Sequence, residues 1–432
     1  MRMTDWSTAQ RWQPAAVVRP TTAQEAAAIL AEAARTGTTV RPIGSGHSFT
    51  PLAVTDGTQV VLDGMIGLVG GPDPDGAVRV RGGTTLALLN TLLAARGRAV
   101  ANLGDIDAQT IAGAISTGTH GTGARFGGLA TQVSALELAL PDGSVRRCDA
   151  AHDPDLFQAA RLGVGAFGLI TEVTLDTVPA FGLYAVERPD RLSTVLADLP
   201  AHLRADHFEF FWFPHTDRVL AKTNTRVAAP EAASTGLPAW RAYLDDELLA
   251  NRLFEVVNRG CARWPAATPY LNQVAARSLP ARSYTAPSHQ VFASPRTVRF
   301  RESEYAVPVA AVDDVLRELR RWLERSGERV AFPVEVRFAA ADQVWLSTSY
   351  QRDSAYVAVH MYHRLDPSRF FGAFEDIVAR YDGRPHWGKM HRLTAADLQG
   401  RYPRFGDALA VRDRVDPQRV LGSPYLARVL DA

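Results

Sequence analysis

The sequence lacks most features of metal-binding, secreted and membrane-spanning proteins. Its 432 residues include two cysteines, Cys148 and Cys261, so no CxxC pairs exist for a zinc or iron–sulfur site and we predict no metal. Both thiols are expected to be reduced, as in the cytoplasm. No run of about 18 apolar residues occurs, which predicts no membrane span. The first residues lack the apolar core of a signal peptide, so we expect a cytoplasmic protein.

The sequence also lacks an excess of either charge. Lys and Arg total 47 and Asp and Glu total 46, a net charge of +1. Nothing therefore favours nucleic acid as a partner. Only Lys222 and Lys389 are lysines, so each is a candidate for a role that arginine cannot fill.

What is present is ordinary for a globular protein, with 46% hydrophobic and 22% charged residues. Residues 1–180 alternate between β and α patterns. Aromatic-rich strands such as HFEFFWFP begin soon afterwards. We predict domains at 1–180 and 181–400, with a segment 401–432 that packs back toward the first. Local patterns predict a helix capped by Thr22 with Glu25 in a capping box, a helix at Ala239–Val257 and a strand at Val344–Ser347.

Two glycine-rich segments could bind a large ligand. The first, RPIGSGHSF at Arg41–Phe49, follows a strand, and its glycines permit close backbone approach and an anion nest. The second runs from Gly113 to Gly123 and alternates glycine with small hydroxylic residues. It has too few side chains to be a buried strand. Together they predict a site for a phosphate-bearing cofactor.

A third glycine motif, GVGAFG at Gly163–Gly168, matches the dinucleotide fingerprint but in the wrong context. A predicted helix precedes it and a predicted strand follows it, which is the reverse of a Rossmann unit. We therefore reject NAD binding here. No GxxxxGK[ST] motif exists, so phosphoryl transfer of the Walker type is excluded as well.

Polar residues of chemical interest occur in the second half. In the strand pattern PVEVRF, Glu335 and Arg337 share one face and apolar residues the other. The segment RPHWGKMH contains Lys389, and the strand predicted at Ala355–Tyr362, earlier in the chain, carries His360. Such groups could bind a polyol or stabilise charge on a cofactor.

These motifs together resemble the vanillyl-alcohol-oxidase superfamily of flavoproteins. Within it, RPIGSGHSF, STGTHGTG, EVR and HWGK resemble the sugar-1,4-lactone oxidases and dehydrogenases, the gulonolactone and arabinonolactone group. The resemblance extends from Trp12 to Tyr425. It implies an α+β fold: a two-subdomain FAD-binding domain and a substrate (cap) domain with a large antiparallel sheet and flanking helices.

The resemblance also implies roles for individual residues. His47 matches the histidine that is covalently linked to FAD in many members. Glu335, Arg337, His360 and Lys389 match catalytic positions on the substrate side. The other implied FAD contacts are Pro42, Ile43, Gly44, Ser45, Gly46, Ser48, Thr110, Gly113, Ala114, Ile115, Ser116, Thr117 and Ile170.

Three departures from the related alditol oxidases lie at the implied sugar end. Asp105 stands where they have a serine, Glu302 where they have a glutamine, and Tyr362 where they have a threonine. These changes favour an aldono-1,4-lactone oxidised at its C2 hydroxyl, with alditol oxidation as the alternative. Hydride would pass to flavin N5, and O₂ or another acceptor would reoxidise the cofactor. Lys389, with a pKa depressed by burial beside Arg337, and His360 are both candidates for the proton acceptor.

Overall fold

The structure is a computed structural model that describes residues 2–229, 254–294 and 298–431. Its mixture of helices with largely antiparallel sheets confirms the predicted α+β class. None of the helices in these ranges has the length and apolar character needed to cross a bilayer. The helices are α1 (Ala23–Thr36), α2 (Leu86–Ala94), α3 (Ile111–Thr117), α4 (Pro154–Ala160), α5 (Leu192–Ala197), α6 (Leu199–His202), α7 (Phe254–Arg263), α8 (Thr268–Ser278), α9 (Ser288–Phe292), α10 (Val312–Ser326), α11 (Ser368–Ala379), α12 (Ala395–Gln399), α13 (Phe405–Val415) and α14 (Pro424–Leu430).

The first part of the chain forms small sheets. The strands are β1 (Met3–Thr4), β2 (Arg11–Trp12), β3 (Ala16–Val18), β4 (Val40–Ile43), β5 (Thr58–Val61), β6 (Ala77–Arg81), β7 (Arg98–Ala99), β8 (Val133–Ala139), β9 (Val145–Asp149), β10 (Leu169–Asp176) and β11 (Val178–Pro179). A parallel sheet has the order β3-β5-β4, and an antiparallel sheet has the order β6-β10-β8-β9. Two-stranded pairs join β1 to β2 and β7 to β11. The helix α4 precedes GVGAFG and β10 follows it, which confirms the reversed order that excluded a Rossmann unit.

Helix α1 shows how local sequence sets these elements. The Thr22 hydroxyl accepts a hydrogen bond from the Glu25 backbone N–H, as the N-cap prediction required. The Glu25 carboxylate, however, accepts from the backbone N–H of Thr21 at 2.7 Å, so the predicted capping box closes one residue early. The helix ends at Gly37, whose φ of 67° favours glycine.

The second part is dominated by one eight-stranded antiparallel sheet. Its strands are β12 (Phe181–Arg191), β13 (His207–Phe213), β14 (Arg218–Ala228), β15 (Arg282–Pro287), β16 (Phe300–Pro308), β17 (Val334–Ala339), β18 (Ser354–Tyr362) and β19 (Arg384–Pro385). The order is β15-β12-β14-β13-β17-β18-β16-β19. One face is apolar, with Val334, Val336 and Phe338 buried against α10 and α11. The opposite face is polar and lies toward the first part of the chain.

The C-terminal segment contacts the β4 region. The backbone N–H of Val40 donates to the carbonyl of Val420 at 2.7 Å, and the buried Arg41 guanidinium donates to the carbonyls of Leu52, Val164, Gly165 and Leu421. These bonds attach the last helices to the start of the glycine-rich loop. The division at residues 180 and 400 stays a prediction.

One segment predicted as a strand is a turn in the structure. Val344–Ser347 forms a turn rather than a strand, because Asp342 accepts hydrogen bonds from the Val344 N–H and the Ser347 hydroxyl. Most of the helix predicted at Ala239–Val257 lies outside the described residues. Cys148 and Cys261 are buried free thiols, as expected.

Candidate active site

A cleft in the first part of the chain brings the two glycine-rich segments together. A Cβ atom on Gly44 would lie 2.4 Å from the Thr110 hydroxyl, so only glycine permits this approach of the loop to the start of α3. Thr110 caps α3 by accepting from the Gly113 N–H. The cleft lining includes Pro42, Ile43, Gly44, Ser45, Gly46, His47, Ser48, Thr110, Gly113, Ser116, Thr117 and Ile170.

Two predicted cleft residues are placed elsewhere. Ala114 and Ile115 are fully buried in the hydrophobic core beneath α3, so their side chains do not line the cleft, and their contact with a cofactor stays a prediction. Helical periodicity explains this, because Gly113, Ser116 and Thr117 occupy the opposite side of the helix. Gly82 and Gly83 also line the cleft and were not predicted. A Cβ on Gly83 would lie 1.8 Å from the Leu62 carbonyl oxygen, so only glycine fits at this position. The paired glycines in the sequence RGG were the signal that could have identified this part of the cleft.

His47 connects this cleft to the polar face of the large sheet. Its ring stacks on Trp6 with centroids 5.5 Å apart. Its Nδ1 is buried and has no hydrogen-bond partner in the structure. Burial, with the nearby Lys389 cation, lowers the pKa of His47. The imidazole is therefore neutral at physiological pH, with a nitrogen free to bond.

The polar face of the sheet is centred on Arg337. Its Nη2 lies 2.5 Å from a carboxylate oxygen of Glu335, so the predicted same-face pair forms. Its Nε donates to Glu209 at 2.9 Å, and a carboxylate oxygen of Asp105 lies 3.7 Å from Nη2. Burial raises the pKa of Glu335, and Asp105 and Glu209 reinforce that effect against Arg337. The carboxylates around Arg337 outweigh its burial and raise its pKa further, so the guanidinium is a permanent cation.

Glu209 was missed by sequence reasoning. It lies in β13 between the buried Phe208 and Phe210, so strand alternation alone places it on the polar face. That pattern was the available signal. Its partner Arg337 is 128 residues away in sequence, and no local pattern identifies that pair.

Lys389 forms a second charged centre. Its Nζ donates to Glu302 at 2.5 Å and lies 5.0 Å from the centroid of the Phe49 ring. Burial alone would lower the pKa of Lys389, but Glu302, Glu304 and Glu335 outweigh it and raise the pKa above its usual value. The prediction of a depressed lysine pKa is therefore wrong, because carboxylates rather than Arg337 are its near neighbours.

His360 lies beside the same carboxylate. Its Nδ1 is 3.2 Å from the carbonyl of Pro333, and a carbonyl can only accept, so Nδ1 carries the proton. Its Nε2 lies 3.6 Å from Glu302. In the neutral ring this nitrogen keeps its lone pair. Tyr362, in contrast, donates its hydroxyl to Glu255 of α7 at 2.7 Å, so the structure does not bring that hydroxyl into the charged centre.

A third buried group joins His120, Glu304 and His386, whose ligand-type atoms lie within 4.8 Å of one another. His386 Nδ1 accepts from the Gly388 N–H at 3.0 Å, whereas metal-bound histidines normally donate from the second nitrogen. Both nitrogens of His120 face acceptors, the Gly121 carbonyl and Glu304. These contacts occupy both ring nitrogens of His120 and Nδ1 of His386, atoms that a metal ion would need as ligands.

The HWGK segment closes the site. The carbonyl of Gly388 accepts from the Phe49 N–H at 2.8 Å, and a Cβ on Gly388 would lie 3.3 Å from the Thr117 Cβ. Lys389 is thereby held against the glycine-rich loop and α3. The cleft and the charged face of the sheet are thus adjacent at this segment.

Comparisons with known proteins cover the whole chain. A family model described as FAD binding domain matches residues 14–149, and one described as D-arabinono-1,4-lactone oxidase matches residues 173–429. L-gulono-1,4-lactone dehydrogenase of Mycobacterium tuberculosis is 39% identical over 427 residues, covering 99% of this chain and 98% of that protein. L-gulonolactone oxidase of Scyliorhinus torazame is 32% identical over 436 residues, with 98% and 97% covered.

Two further matches are less similar in sequence. An alditol oxidase of a Streptomyces species is 30% identical over 452 residues and is covered to 99% in both chains. The structure of cholesterol oxidase from B. sterolicum superposes with a TM-score of 0.84 at 18% identity, covering 99% of this chain and 96% of that one. This similarity concerns the fold.

Proposed function

The chain belongs to the D-arabinono-1,4-lactone oxidase family, and on this premise we propose that it oxidises the C2 hydroxyl of an aldono-1,4-lactone with FAD as cofactor. One observation supports this most strongly: the buried Arg337 guanidinium and Lys389 ammonium pair with carboxylates on the polar face of the sheet. Gly388, the neighbour of Lys389, contacts both glycine-rich segments of the cleft. Oxidation of a sugar alcohol group needs such fixed charges close to the cofactor.

The residues present fit FAD. The loop at Gly44–Ser48 offers backbone N–H groups for a pyrophosphate, and the contact between Gly44 and Thr110 leaves no space for a side chain. The partnerless Nδ1 of His47 lies in the same cleft. The side chains that we propose hold FAD are the cleft residues named above, whereas Ala114 and Ile115 support α3 from behind.

FAD, when bound, supplies the hydride acceptor for the alcohol C–H bond. Arg337 then provides a fixed cation for negative charge that develops beside it. His360 Nε2 accepts the hydroxyl proton, and Glu302 stabilises the imidazolium that results. Lys389 stays an ammonium and donates a hydrogen bond to a substrate oxygen. O₂ or another acceptor takes the electrons afterwards; stopped-flow reoxidation by O₂ distinguishes the two.

We further propose that FAD is covalently attached through His47, whose neutral imidazole has a free nitrogen in the cleft. Protein precipitated in acid is expected to stay yellow, and His47→Ala is expected to release its flavin into the supernatant. The matched control is His152→Ala, because His152 is an exposed histidine on the surface. Wild-type protein that turns colourless in acid would disprove the linkage.

The charge of the site also bears on the choice of substrate. Three permanent cations, Lys222, Arg337 and Lys389, face a larger set of carboxylates, namely Asp105, Glu209, Glu302, Glu304 and Glu335. An additional anion is disfavoured there, whereas the hydroxyls of a neutral ring find hydrogen-bond acceptors. Asp105 and Glu302 are both part of this set.

The test is kcat/KM for L-gulono-1,4-lactone, D-arabinono-1,4-lactone, xylitol and the hydrolysed aldonates on one preparation. We expect the lactones to exceed the open-chain acids and xylitol by at least about tenfold, or roughly 1.4 kcal/mol. Xylitol ahead by tenfold would replace the lactone proposal with alditol oxidation, which the similarity to an alditol oxidase makes the alternative.

A further inference from the structure

A row of alternating charges crosses five adjacent strands of the large sheet. The residues are direct cross-strand partners on the polar face. The pairing of the strands therefore places each charged residue directly opposite the next one. From the outer edge inward they are Arg282 on β15, Glu187 on β12, Lys222 on β14, Glu209 on β13 and Arg337 on β17.

The contacts along the row are close. Arg282 donates to both carboxylate oxygens of Glu187, at 2.7 and 3.0 Å. Lys222 Nζ lies 3.4 Å from Glu209 and donates to the carbonyl of Val291 at 3.2 Å. Glu209 in turn accepts from Arg337 Nε. The side chains of Lys222 and Glu209 are only 15% and 8% exposed.

Stability alone does not explain this row. Taking charged groups out of water is costly, and well-packed apolar residues often serve as well or better at such positions. The apolar face of the same strands shows that this chain can pack the sheet without charges. Lys222 is also one of only two lysines in the sequence. Its compact ammonium touches one carboxylate and one carbonyl, where a forked guanidinium would need more room.

The row ends on the residue that the proposed mechanism uses. Burial alone would raise the pKa of Glu209, but Arg337 and Lys222 together lower it, so Glu209 stays a carboxylate. Glu209 occupies the Nε side of the guanidinium, which leaves Nη2 turned toward Glu335 and Asp105. Orientation of a planar guanidinium depends on which of its edges is occupied.

We propose that Lys222 and Glu209 are positioning residues for Arg337: Lys222 holds the Glu209 carboxylate, and Glu209 holds the guanidinium with its Nη2 edge toward Glu335 and Asp105. This inference rests on the proposed oxidation of a lactone. Neither residue touches the reacting atoms, and both act through Arg337.

The test combines substitutions of Lys222 with a loss of Arg337. Lys222→Met is expected to lower kcat/KM for L-gulono-1,4-lactone by roughly 10- to 100-fold, because misplacing a catalytic group by about 1 Å can cost on the order of 100-fold. In an Arg337→Ala background the same substitution is expected to cost less than about twofold, because the residue through which it acts is gone. An equal loss in both backgrounds would overturn the inference.

Two further measurements separate positioning from folding. Glu375→Gln is the matched control, since Glu375 is a buried carboxylate bound to Tyr305 and Arg392 outside the site, and it is expected to keep wild-type kcat/KM. Calorimetric binding of a 2-deoxy lactone, which has no C2 hydroxyl to oxidise, is expected to weaken in Lys222→Met. Unchanged binding and turnover in a folded Lys222→Met protein would also refute the inference. If that variant does not fold, Glu209→Gln replaces it in the same cycle.

Wild-type protein without lactone oxidation would instead refute the proposed function.

Discussion

Arg337→Ala is expected to lower kcat/KM for the lactone by roughly 100-fold or more. The substitution removes the fixed cation of the site and leaves Glu209, Glu335 and Asp105 facing each other in a buried pocket. A lost charge-assisted contact of about 3 kcal/mol corresponds to about 100-fold in rate. Steady-state kinetics on protein with a normal flavin spectrum measure this effect directly.

A double-mutant cycle with Glu335→Gln sharpens the prediction. Glu335 and Arg337 are 2.5 Å apart and act on each other's charge, so the two losses are expected to be strongly non-additive. The double variant should resemble Arg337→Ala rather than show the product of both effects. Near-wild-type turnover in Arg337→Ala would remove this pair from the mechanism.

Lys389→Met is expected to cost a similar 100-fold or more in kcat/KM. It removes the ammonium that compensates Glu302 and Glu304, two buried carboxylates that point from the same face of β16. Breaking a buried ion pair by removal of one partner typically costs about 3–5 kcal/mol of folding stability, so kcat/KM is compared on protein shown to be folded. Lys389→Arg is expected to restore little activity, since a planar fork does not fit the place of a compact ammonium over Phe49.

The pH dependence of folding gives an independent readout for Lys389. Burial alone would raise the pKa of Glu302, but Lys389 and His360 lower it from 4.5 to about 2. A carboxylate whose pKa is lower in the folded state stabilises the fold fully above its unfolded pKa. That contribution is lost as the pH falls from about 5 toward 2.

Denaturant unfolding at a series of pH values tests this. In Lys389→Met the folded-state pKa of Glu302 moves up, so the free energy of unfolding should fall less between pH 5 and 3 than in the wild type. Arg320→Met serves as a control, because it removes a partly exposed cation whose carboxylate partners, Asp217 and Glu324, lie outside the site. If the free energy of unfolding falls equally between pH 5 and 3 in the wild type and in Lys389→Met, the ammonium does not hold Glu302 ionised.

Much of the site was visible in local patterns. Strand alternation placed Glu335 and Arg337 on one face, and the structure brings their charges together. Glycine in the RPIGSGHSF loop marked a close backbone approach, which proved to be the contact with Thr110. Such features depend on the chain within a few residues, where periodicity and backbone freedom decide the geometry.

Local patterns failed where a second interaction competes with the one that the pattern predicts. Val344–Ser347 has strand-forming residues, yet hydrogen bonds to the Asp342 carboxylate turn the backbone. Ala114 and Ile115 belong to a motif that lines the cleft, yet they pack into the core because a helix has two sides. In both cases the competing interaction was present in the sequence but its strength depended on packing.

By itself the sequence determined the fold class, the family, the glycine-rich cleft loop and the identity of most charged residues in the site. Only the tertiary structure decided how those charges pair. Whether Lys389 is an acid or a base depends on Glu302 and Glu304, and the orientation of Arg337 depends on Glu209, 128 residues away. The physical reason is that electrostatic energies in a buried site follow distance and desolvation, and both are set when strands far apart in sequence become neighbours in one sheet.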